Sequence, residues 1–461
     1  PVSASAVDTD TEIYVSPDGN DSNSGSSESP FKTLERAKAE VRVHNSNMSG
    51  NIIVNIASGV YYMDNTLEFT QADSGTNGFS VIYRGITDEN GNSPIVSGGV
   101  DISDNWELYD ESLNIYKHEN IDWSFRQLYT NNDRAIRARV PNLENKETGG
   151  PYFRASGGDG SYPLFIGTNN EYAQKAGNDA EIIWNSSWSQ FRARIESYNS
   201  STGRVTFKAP DNSFAWNHHT QGDTPFYLEN SLAYLDSEGE WYLDKDTSTL
   251  YYKPREGEIM NKTEIIAPKL ETIIDINGTD ENKTENITFD GIQFLHSNWL
   301  APDSYGYCSV QGGFRYQSEG GKDNSAIRGS ARYDAPKSMV QLRHTKNISL
   351  INSEFSFSGS WGIMGYEDTE NTFIDHNVFT KNAGGGVTMG MAGREWDDQT
   401  ENEQPRTYTD MDGQSRYDTI TNNYIDHVAC EYQDMVGIGA MLPQHMTIAN
   451  NEIGCLPYTG I

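Results

Sequence analysis

The chain is poor in the features that mark membrane, nucleic-acid-binding and disulfide-stabilised proteins. Its 34 basic residues stand against 66 acidic ones, a formal charge of −32, so attraction to nucleic acid or to an anionic membrane is not expected. No apolar run reaches about 18 residues, which excludes a membrane-spanning helix. The three cysteines, Cys308, Cys430 and Cys455, are too few for a disulfide scaffold and match no metal-ligand spacing, although Cys430 and Cys455 could pair.

An export signal is also missing, because residues 1–10 show no basic stretch followed by an apolar one. Any such signal has been removed or never existed. The hydrophobic content is only 35%, yet 26 Tyr, 17 Phe and 9 Trp indicate a folded chain rather than a disordered acidic one. The acidic surface fits a saline habitat, and we expect a secreted or periplasmic bacterial protein.

Stretches with helical periodicity are scarce. The clearest is 30–41, where Thr33 can cap a helix whose Leu34, Ala37 and Val41 share one face. A helix this near the amino end predicts a cap. Elsewhere, 42 glycines and short apolar stretches predict an all-β protein with many short strands joined by turns.

A repeat occupies the carboxy-terminal half. Five nine-residue windows share two apolar positions, a polar or Asn corner and a further apolar position, and their starts are 61, 24, 46 and 28 residues apart: 286–294, 347–355, 371–379, 417–425 and 445–453. Such a unit matches one turn, here called a coil, of a right-handed parallel β-helix. Asn at the corners tolerates the left-handed conformation and can stack its amide along the helix. The alternative is a β-sandwich with accidental similarity between the windows.

The repeat divides the chain into three parts. We predict a cap and the first coils in 1–103, an inserted antiparallel β-sandwich-like domain in 104–270, and coils carrying a groove in 271–461. The insertion is indicated by longer alternating stretches such as 192–197 and 240–244. Because the sequence stops in the middle of a coil at Ile461, we expect further coils to be missing or another chain to cover the edge.

One coil contains an irregular, ionisable segment. In three coils seven residues separate the last apolar position from the next Gly-aliphatic pair, but twelve separate Ile425 from Gly437. We expect this bulge, 426–436, to point outward and to hold the catalytic residues. The candidates are Glu431, Asp434, Asp426 and His427. The alternative is a solvated acidic loop.

Two long loops leave neighbouring coils and can converge on the same groove. The loop 387–416 contains Asp397, Asp398, Asp410 and Asp412, which are the alternatives to the bulge for the catalytic carboxylates. The loop 299–341 is rich in Tyr, and 304–347 holds seven basic against three acidic residues. This basic segment predicts an anionic polysaccharide, unless it only balances acidic neighbours. The predicted substrate-binding residues are Arg343, His344, Trp361, Arg394, Trp396, Asp410, Tyr307 and Arg332.

The chain resembles secreted pectate-lyase-like β-helix proteins at its opening, 14–21 and 30–34. The segments 229–236, 239–244 and 250–252 resemble the interrupted β-helix glycoside hydrolases of families 120, 141 and 174. The resemblance spans nearly the whole chain. It implies a β-helix with an insertion and an activity among those of the families: β-xylosidase, xylanase, α-L-fucosidase or endo-fucanase.

The preferred hypothesis is a glycoside hydrolase that cleaves a polysaccharide with two carboxylates as acid and base. The favoured substrate is a sulfated fucan or another fucose-containing glycan. The alternatives are a xylanase or β-xylosidase, a polysaccharide lyase using a basic residue or Tyr, and a non-catalytic carbohydrate-binding β-helix. No cofactor and no catalytic metal are expected, and a structural Ca²⁺ ion is an open alternative. The expected partner is the polysaccharide, with neither nucleic acid nor membrane.

Overall fold

The structure is a computed structural model that describes residues 10–145, 149–157, 165–186, 188–209, 211, 223–308, 312, 315–317, 332–390 and 413–461. Three α-helices occur in these residues: α1 (Leu34–His44), α2 (Glu171–Lys175) and α3 (Ala301–Tyr305). α1 is the predicted helix, and the Thr33 side chain accepts from the Arg36 N–H as its N-cap. None of the described helices has the length and apolarity to span a membrane.

The amino-terminal part begins the parallel sheets. Its strands are β1 (Thr11–Val15), β2 (Ile52–Ala57), β3 (Val60–Tyr62), β4 (Leu67–Phe69), β5 (Val81–Ile86) and β6 (Ile95–Ser97). β1, β2 and β5 pair in parallel, and β3 pairs in parallel with β6. α1 packs its buried face against this first layer and closes the end of the core.

The middle of the chain forms mostly antiparallel sheets. Its strands are β7 (Gly99–Asp101), β8 (Glu107–Asp110), β9 (Ile115–Glu119), β10 (Tyr129–Thr130), β11 (Asp133–Arg134), β12 (Ile136–Arg137), β13 (Arg139–Val140), β14 (Phe153–Arg154), β15 (Glu181–Ser186), β16 (Ser189–Asn199), β17 (Arg204–Phe207), β18 (Pro225–Glu229), β19 (Glu240–Asp244), β20 (Thr249–Tyr252) and β21 (Ile265–Pro268). The entering strand β7 pairs with the leaving strand β21. We call this part the insertion; its predicted limits, 104 and 270, stay a prediction.

The remaining strands return to the parallel arrangement. They are β22 (Ile274–Asn277), β23 (Thr284–Asp290), β24 (Gln293–Leu295), β25 (Tyr307–Cys308), β26 (Arg315–Gln317), β27 (Arg332–Asp334), β28 (Ser338–Ile351), β29 (Glu354–Ser356), β30 (Trp361–Glu370), β31 (Phe373–Asp375), β32 (Val378–Thr380), β33 (Val387–Gly390), β34 (Thr419–Thr421), β35 (Tyr424–Asp426), β36 (Ile438–Met441), β37 (Thr447–Ala449) and β38 (Glu452–Gly454). Of these, β25 joins the insertion through β16, and β26 pairs antiparallel with β27.

The parallel strands stack in three columns, so the predicted β-helix is confirmed. The first column is β4-β22-β28-β30-β33-β36. The second is β1-β2-β5-β23-β28-β31-β34-β37, in which β28 is long enough to serve both columns. The third is β3-β6-β24-β29-β32-β35-β38. Each coil thus contributes one strand to each of three faces.

Corner asparagines keep successive coils in register. Backbone N–H groups donate to the side chains of Asn377, Asn423 and Asn451 in the next coil, across separations of 24, 46 and 28 residues. These equal the spacings of the repeat. At the other corner, Asn347 and Asn371 have φ of 52° and 54°, the left-handed conformation that the sequence predicts there.

The core of the β-helix is apolar and continuous. Phe294, Phe355 and Phe379 lie one above another with ring centroids 5.2 Å apart, and Ile425 continues the row. Inward positions alternate with outward ones along each strand, because successive side chains point to opposite faces. This alternation decides which residues remain available outside the helix.

Candidate active site

The bulge 426–436 is packed rather than solvated, so the expectation of an unconstrained outward loop is wrong. Its backbone donates from Ala429, Cys430 and Glu431 to carbonyl groups at residues 382–384 of the preceding coil. Its other side meets the insertion: Arg192 donates to the Glu431 carbonyl oxygen at 2.6 Å. The extra residues are accommodated because they fill the space between the coils and β16.

Glu431 is held in its ionised form at this junction. Arg134 Nη1 donates to one carboxylate oxygen at 2.5 Å and Gln127 Nε2 to the other at 2.9 Å. Burial alone would raise the pKa of Glu431, but the guanidinium groups of Arg134 and Arg192 hold this pKa below its ordinary value. About a fifth of the side chain, 21%, is still exposed.

Asp434 lies deeper in the same junction. The Tyr307 hydroxyl donates to Oδ1 at 2.6 Å, and the Gln190 backbone N–H donates to Oδ2 at 3.0 Å. The residue is 2% exposed. Tyr307 stands on β25, which pairs with β16, so both donors come from neighbouring strands of one sheet. The predicted residues Tyr307 and Asp434 are therefore in direct contact.

An aromatic cluster surrounds this contact. It contains the predicted Trp361 together with Trp299, Tyr432 and Tyr307, and the Tyr307 and Tyr432 ring centroids are 4.8 Å apart. Several buried polar side-chain atoms here have no hydrogen-bond partner among the described residues: Trp361 Nε1, Tyr432 Oη, Gln190 Nε2, Ser189 Oγ and Asn185 Oδ1. Unpaired buried polar atoms are costly, so these five indicate a place where a polar ligand or water can complete the bonding.

Arg343 approaches the same cluster from the outer face of β28. Its guanidinium carbon lies 4.6 Å from the centre of the Tyr366 ring, and Tyr366 belongs to the cluster. Asp275 stands beside it on β22, where burial raises the pKa of its carboxyl despite Lys337 and Arg343. Arg343 Nε and Asp275 Oδ1 are unpaired among the described residues. The outer face of the first column thus extends the polar lining.

The other predicted residues lie in two separate clusters. His344 contacts Asp368 at 3.4 Å and Asp280 at 3.2 Å, at the outer corner between the first and second columns. Asp426 and His427 form a pair, Oδ2 to Nδ1 2.5 Å, beside Cys455 at a corner of the third column. Cys430 and Cys455, which the sequence leaves open as a pair, do not form a disulfide.

Several predicted residues lie outside the described residues, so the structure leaves their roles as predictions. They are Arg394, Trp396, Asp397, Asp398, Asp410 and Asp412, in 391–412. Arg332 is described only as part of the strand β27.

The sequence did not identify the insertion's contribution to this junction. Gln127, Arg134 and Gln190 contact the bulge from positions 304, 297 and 244 residues away in the chain. No local pattern marks them, because their contacts exist only once the insertion folds back onto the coils. The sequence feature that could have indicated these contacts is the excess of arginine at 134–139 and 192–194.

Comparisons with known proteins fit this architecture. Residues 113–255 match a family model described as the GH141 insertion domain. The chain is similar to a solved structure titled "Glycoside hydrolase", with 26% identity, a TM-score of 0.85, and coverage of 98% of this chain and 79% of that one. A second structure, titled "The complex structure of XylC with xylose", has 11% identity and a TM-score of 0.48 over 96% of this chain and 58% of that one, a likeness too low to indicate function.

No curated protein matches the chain. The matches do not bear on families 120 and 174, whose resemblance stays a prediction. The insertion model and the similarity over nearly the whole chain confirm the resemblance to family 141, and they support the predicted enzyme class, a glycoside hydrolase.

Proposed function

We propose that this protein hydrolyses a glycosidic bond of a fucose-containing, sulfated polysaccharide at the junction between the insertion and the bulge 426–436. The location rests on the buried polar atoms of this junction that have no hydrogen-bond partner among the described residues. A sugar ring offers hydroxyl groups to such atoms and an apolar face to aromatic side chains. Junctions between two folded parts are also where ligand sites commonly lie.

Glu431 fits the role of the ionised carboxylate. Glycoside hydrolysis needs one carboxyl group as acid and one carboxylate as base or nucleophile. The depressed pKa of Glu431 keeps it charged at neutral pH, and its exposed fraction allows contact with a ligand. We therefore assign it the base or nucleophile role and not that of the acid.

The second carboxylate is proposed to be Asp434. The Tyr307 hydroxyl and the Gln190 backbone N–H donate to it and fix its orientation inside the aromatic cluster. Asp397, Asp398, Asp410 and Asp412 remain the alternative source of the acid. Asp426 is less favoured, because its carboxylate is engaged by His427 on an outer corner of the third column.

Arg343 supports the choice of an anionic substrate. Its guanidinium lies over Tyr366 beside the cluster, and its Nε has no partner among the described residues. A guanidinium group next to an aromatic ring suits a sulfated sugar, because it offers both charge and a stacking face. We also propose secretion or a periplasmic location, since such a polymer lies outside the cytoplasm.

The test is product formation from sulfated fucan, the same fucan after desulfation, and xylan by the parental protein and by Glu431→Gln, Asp434→Asn and Asp426→Asn. We expect the first two variants to lose about 10²- to 10⁴-fold in rate on sulfated fucan and Asp426→Asn to lose little. Asp375→Asn is the matched control, because Asp375 forms the same pair with His376 on another corner. Unchanged melting temperatures must accompany the losses.

The outcomes separate the parts of the proposal. Near-parental rates for both Glu431→Gln and Asp434→Asn contradict the location of the site. Equal rates on sulfated and desulfated fucan contradict the role of charge. An unsaturated product absorbing in the ultraviolet contradicts hydrolysis in favour of a lyase.

A further inference from the structure

Two Asp-His pairs of the same geometry stand on corners of the β-helix. Asp375 Oδ2 and His376 Nδ1 are 2.5 Å apart, as are Asp426 Oδ2 and His427 Nδ1. Both histidines have positive φ, 54° and 50°. Only the second pair forms, among the described residues, a three-donor group with a thiol: the ligand atoms of Asp426, His427 and Cys455 lie within 4.8 Å of one another.

Stacking of coils places the thiol there. β35 pairs with β38 so that Asp426 faces Gly454, and Cys455 follows as the corner residue above His427, with φ of 50°. Gly454 has no side chain to cover the Asp426 carboxylate. A Cβ atom at this position would lie 3.2 Å from Asp426 Oδ1. The three donors therefore come from two successive coils.

We propose that Asp426, His427 and Cys455 bind one divalent transition-metal ion of the zinc type. A thiolate, an imidazole nitrogen and a carboxylate oxygen are the donors that zinc takes, whereas Ca²⁺ and Mg²⁺ prefer oxygen alone. Three protein ligands leave the fourth tetrahedral position to water. The site is independent of the proposed hydrolysis.

Binding needs only small movements. In a tetrahedral zinc site neighbouring donor atoms lie about 3.3–3.8 Å apart, so the Asp426–His427 contact opens by about 1 Å. The half-exposed imidazole has room for this shift. The Cys455 thiol gives its proton to solvent as the metal–sulfur bond forms, and His427 coordinates as the neutral ring. The bound ion then cross-links two successive coils at this corner.

The second three-donor group, Asp280, His344 and Asp368, is the weaker candidate. Lys283 Nζ already lies 2.7 Å from Asp368 Oδ1 and supplies the positive charge there. A metal ion would have to displace this ammonium group. This group also lacks a thiol, so it serves as an internal control.

The experiment is titration of the metal-free protein with Co²⁺, read by absorbance. Co²⁺ bound to a thiolate gives a charge-transfer band in the near ultraviolet, and tetrahedral Co²⁺ gives visible bands. We expect one equivalent to produce both, and zinc to remove them by competition. Cys455→Ser should abolish the near-ultraviolet band, and Cys455→Ser and His427→Gln should each weaken Co²⁺ binding more than about 100-fold.

The controls are His376→Gln, His344→Gln and Cys430→Ser. His376 belongs to the pair without a thiol, and the exposed Cys430 lies next to the site, with Sγ 3.0 Å from the His427 carbonyl oxygen. All three should keep the parental titration. Absence of the charge-transfer band in the parental protein overturns the proposal, as does loss of the band in Cys430→Ser with retention in Cys455→Ser.

Discussion

Buried carboxyl groups in this protein differ in charge because their neighbours differ. Burial alone would raise the pKa of Glu181, but Arg126 and Arg137 hold it far below the ordinary value. Glu240 is equally buried, but its donors are backbone N–H groups of Arg139, Asp236 and Ser237. Burial is the largest influence on Glu240 and, against these backbone donors, raises its pKa to about 7. Near neutral pH, glutamate is thus fully ionised at position 181 and partly protonated at position 240.

Glu240 predicts a specific pH dependence of stability. A folded-state pKa of about 7, above the ordinary 4.5, means that its contribution is full below pH 4.5 and is lost as the pH rises through 7. The loss amounts to about 3 kcal/mol, from about 1.4 kcal/mol per pKa unit. Glu240→Gln imitates the protonated form. We therefore expect the difference in free energy of unfolding, Glu240→Gln minus parental protein, to rise by about 3 kcal/mol between pH 4.5 and pH 8.

The measurement is urea unfolding of both proteins at several pH values. A difference that stays constant across this range would show that the carboxyl group of Glu240 titrates normally in the folded protein. Other acidic groups shift both curves alike, so the difference isolates this residue.

Asparagine at the corners acts as an element of the β-helix and not as a single contact. The side-chain oxygen of Asn423, Oδ1, accepts from the Asn377 backbone N–H at 2.9 Å. The side-chain nitrogen, Nδ2, donates to the Ile374 backbone carbonyl oxygen at 3.0 Å. Asn451 repeats the arrangement one coil further. Each side chain therefore pairs backbone groups that the turn leaves without strand partners.

Removal of one member should break this row. Asn423→Ala leaves a buried N–H and a buried carbonyl group unpaired, and we expect a loss of about 3 kcal/mol in the free energy of unfolding. The neighbouring Asn422→Gly is the control, because Asn422 is exposed and glycine tolerates its φ of 55°. Thermal or urea unfolding measures both. A similar loss in the two variants would contradict the special role of the buried amide.

Elements of the coils could be predicted because each carries its own signal. The windows beginning at 286, 347, 371, 417 and 445 all became stacked parallel strands, since alternation and corner residues are local properties. The bulge was located correctly, but its environment was not. Whether Glu431 faces water or Arg134 depends on a strand almost 300 residues earlier, and no local pattern carries this information.

At the scale of the whole molecule, two of the places where the insertion contacts the coils contain charged side chains. At the first, α3 supplies Asp303, which contacts Arg126 and accepts from Lys245 at 2.6 Å. At the second, Glu431 contacts Arg134 and, through its carbonyl oxygen, Arg192. Both involve buried arginines, which are expensive to leave unpaired. The proposed active site lies at the second place, so the docking of the insertion and the shape of the site depend on each other.

Arg192 tests this dependence. Its side chain is 3% exposed, lies 2.7 Å from Glu229 and donates to Glu431, so Arg192→Met should cost about 3–5 kcal/mol. The bulge N–H groups of 429–432 bond to the preceding coil and report its order. We expect their hydrogen exchange to accelerate in Arg192→Met, while 52–57 at the other end stays protected. The exposed Arg204→Met is the control. If exchange increases in β16 alone and 429–432 stays protected, the coils hold the bulge unaided, and the insertion covers the site without shaping it.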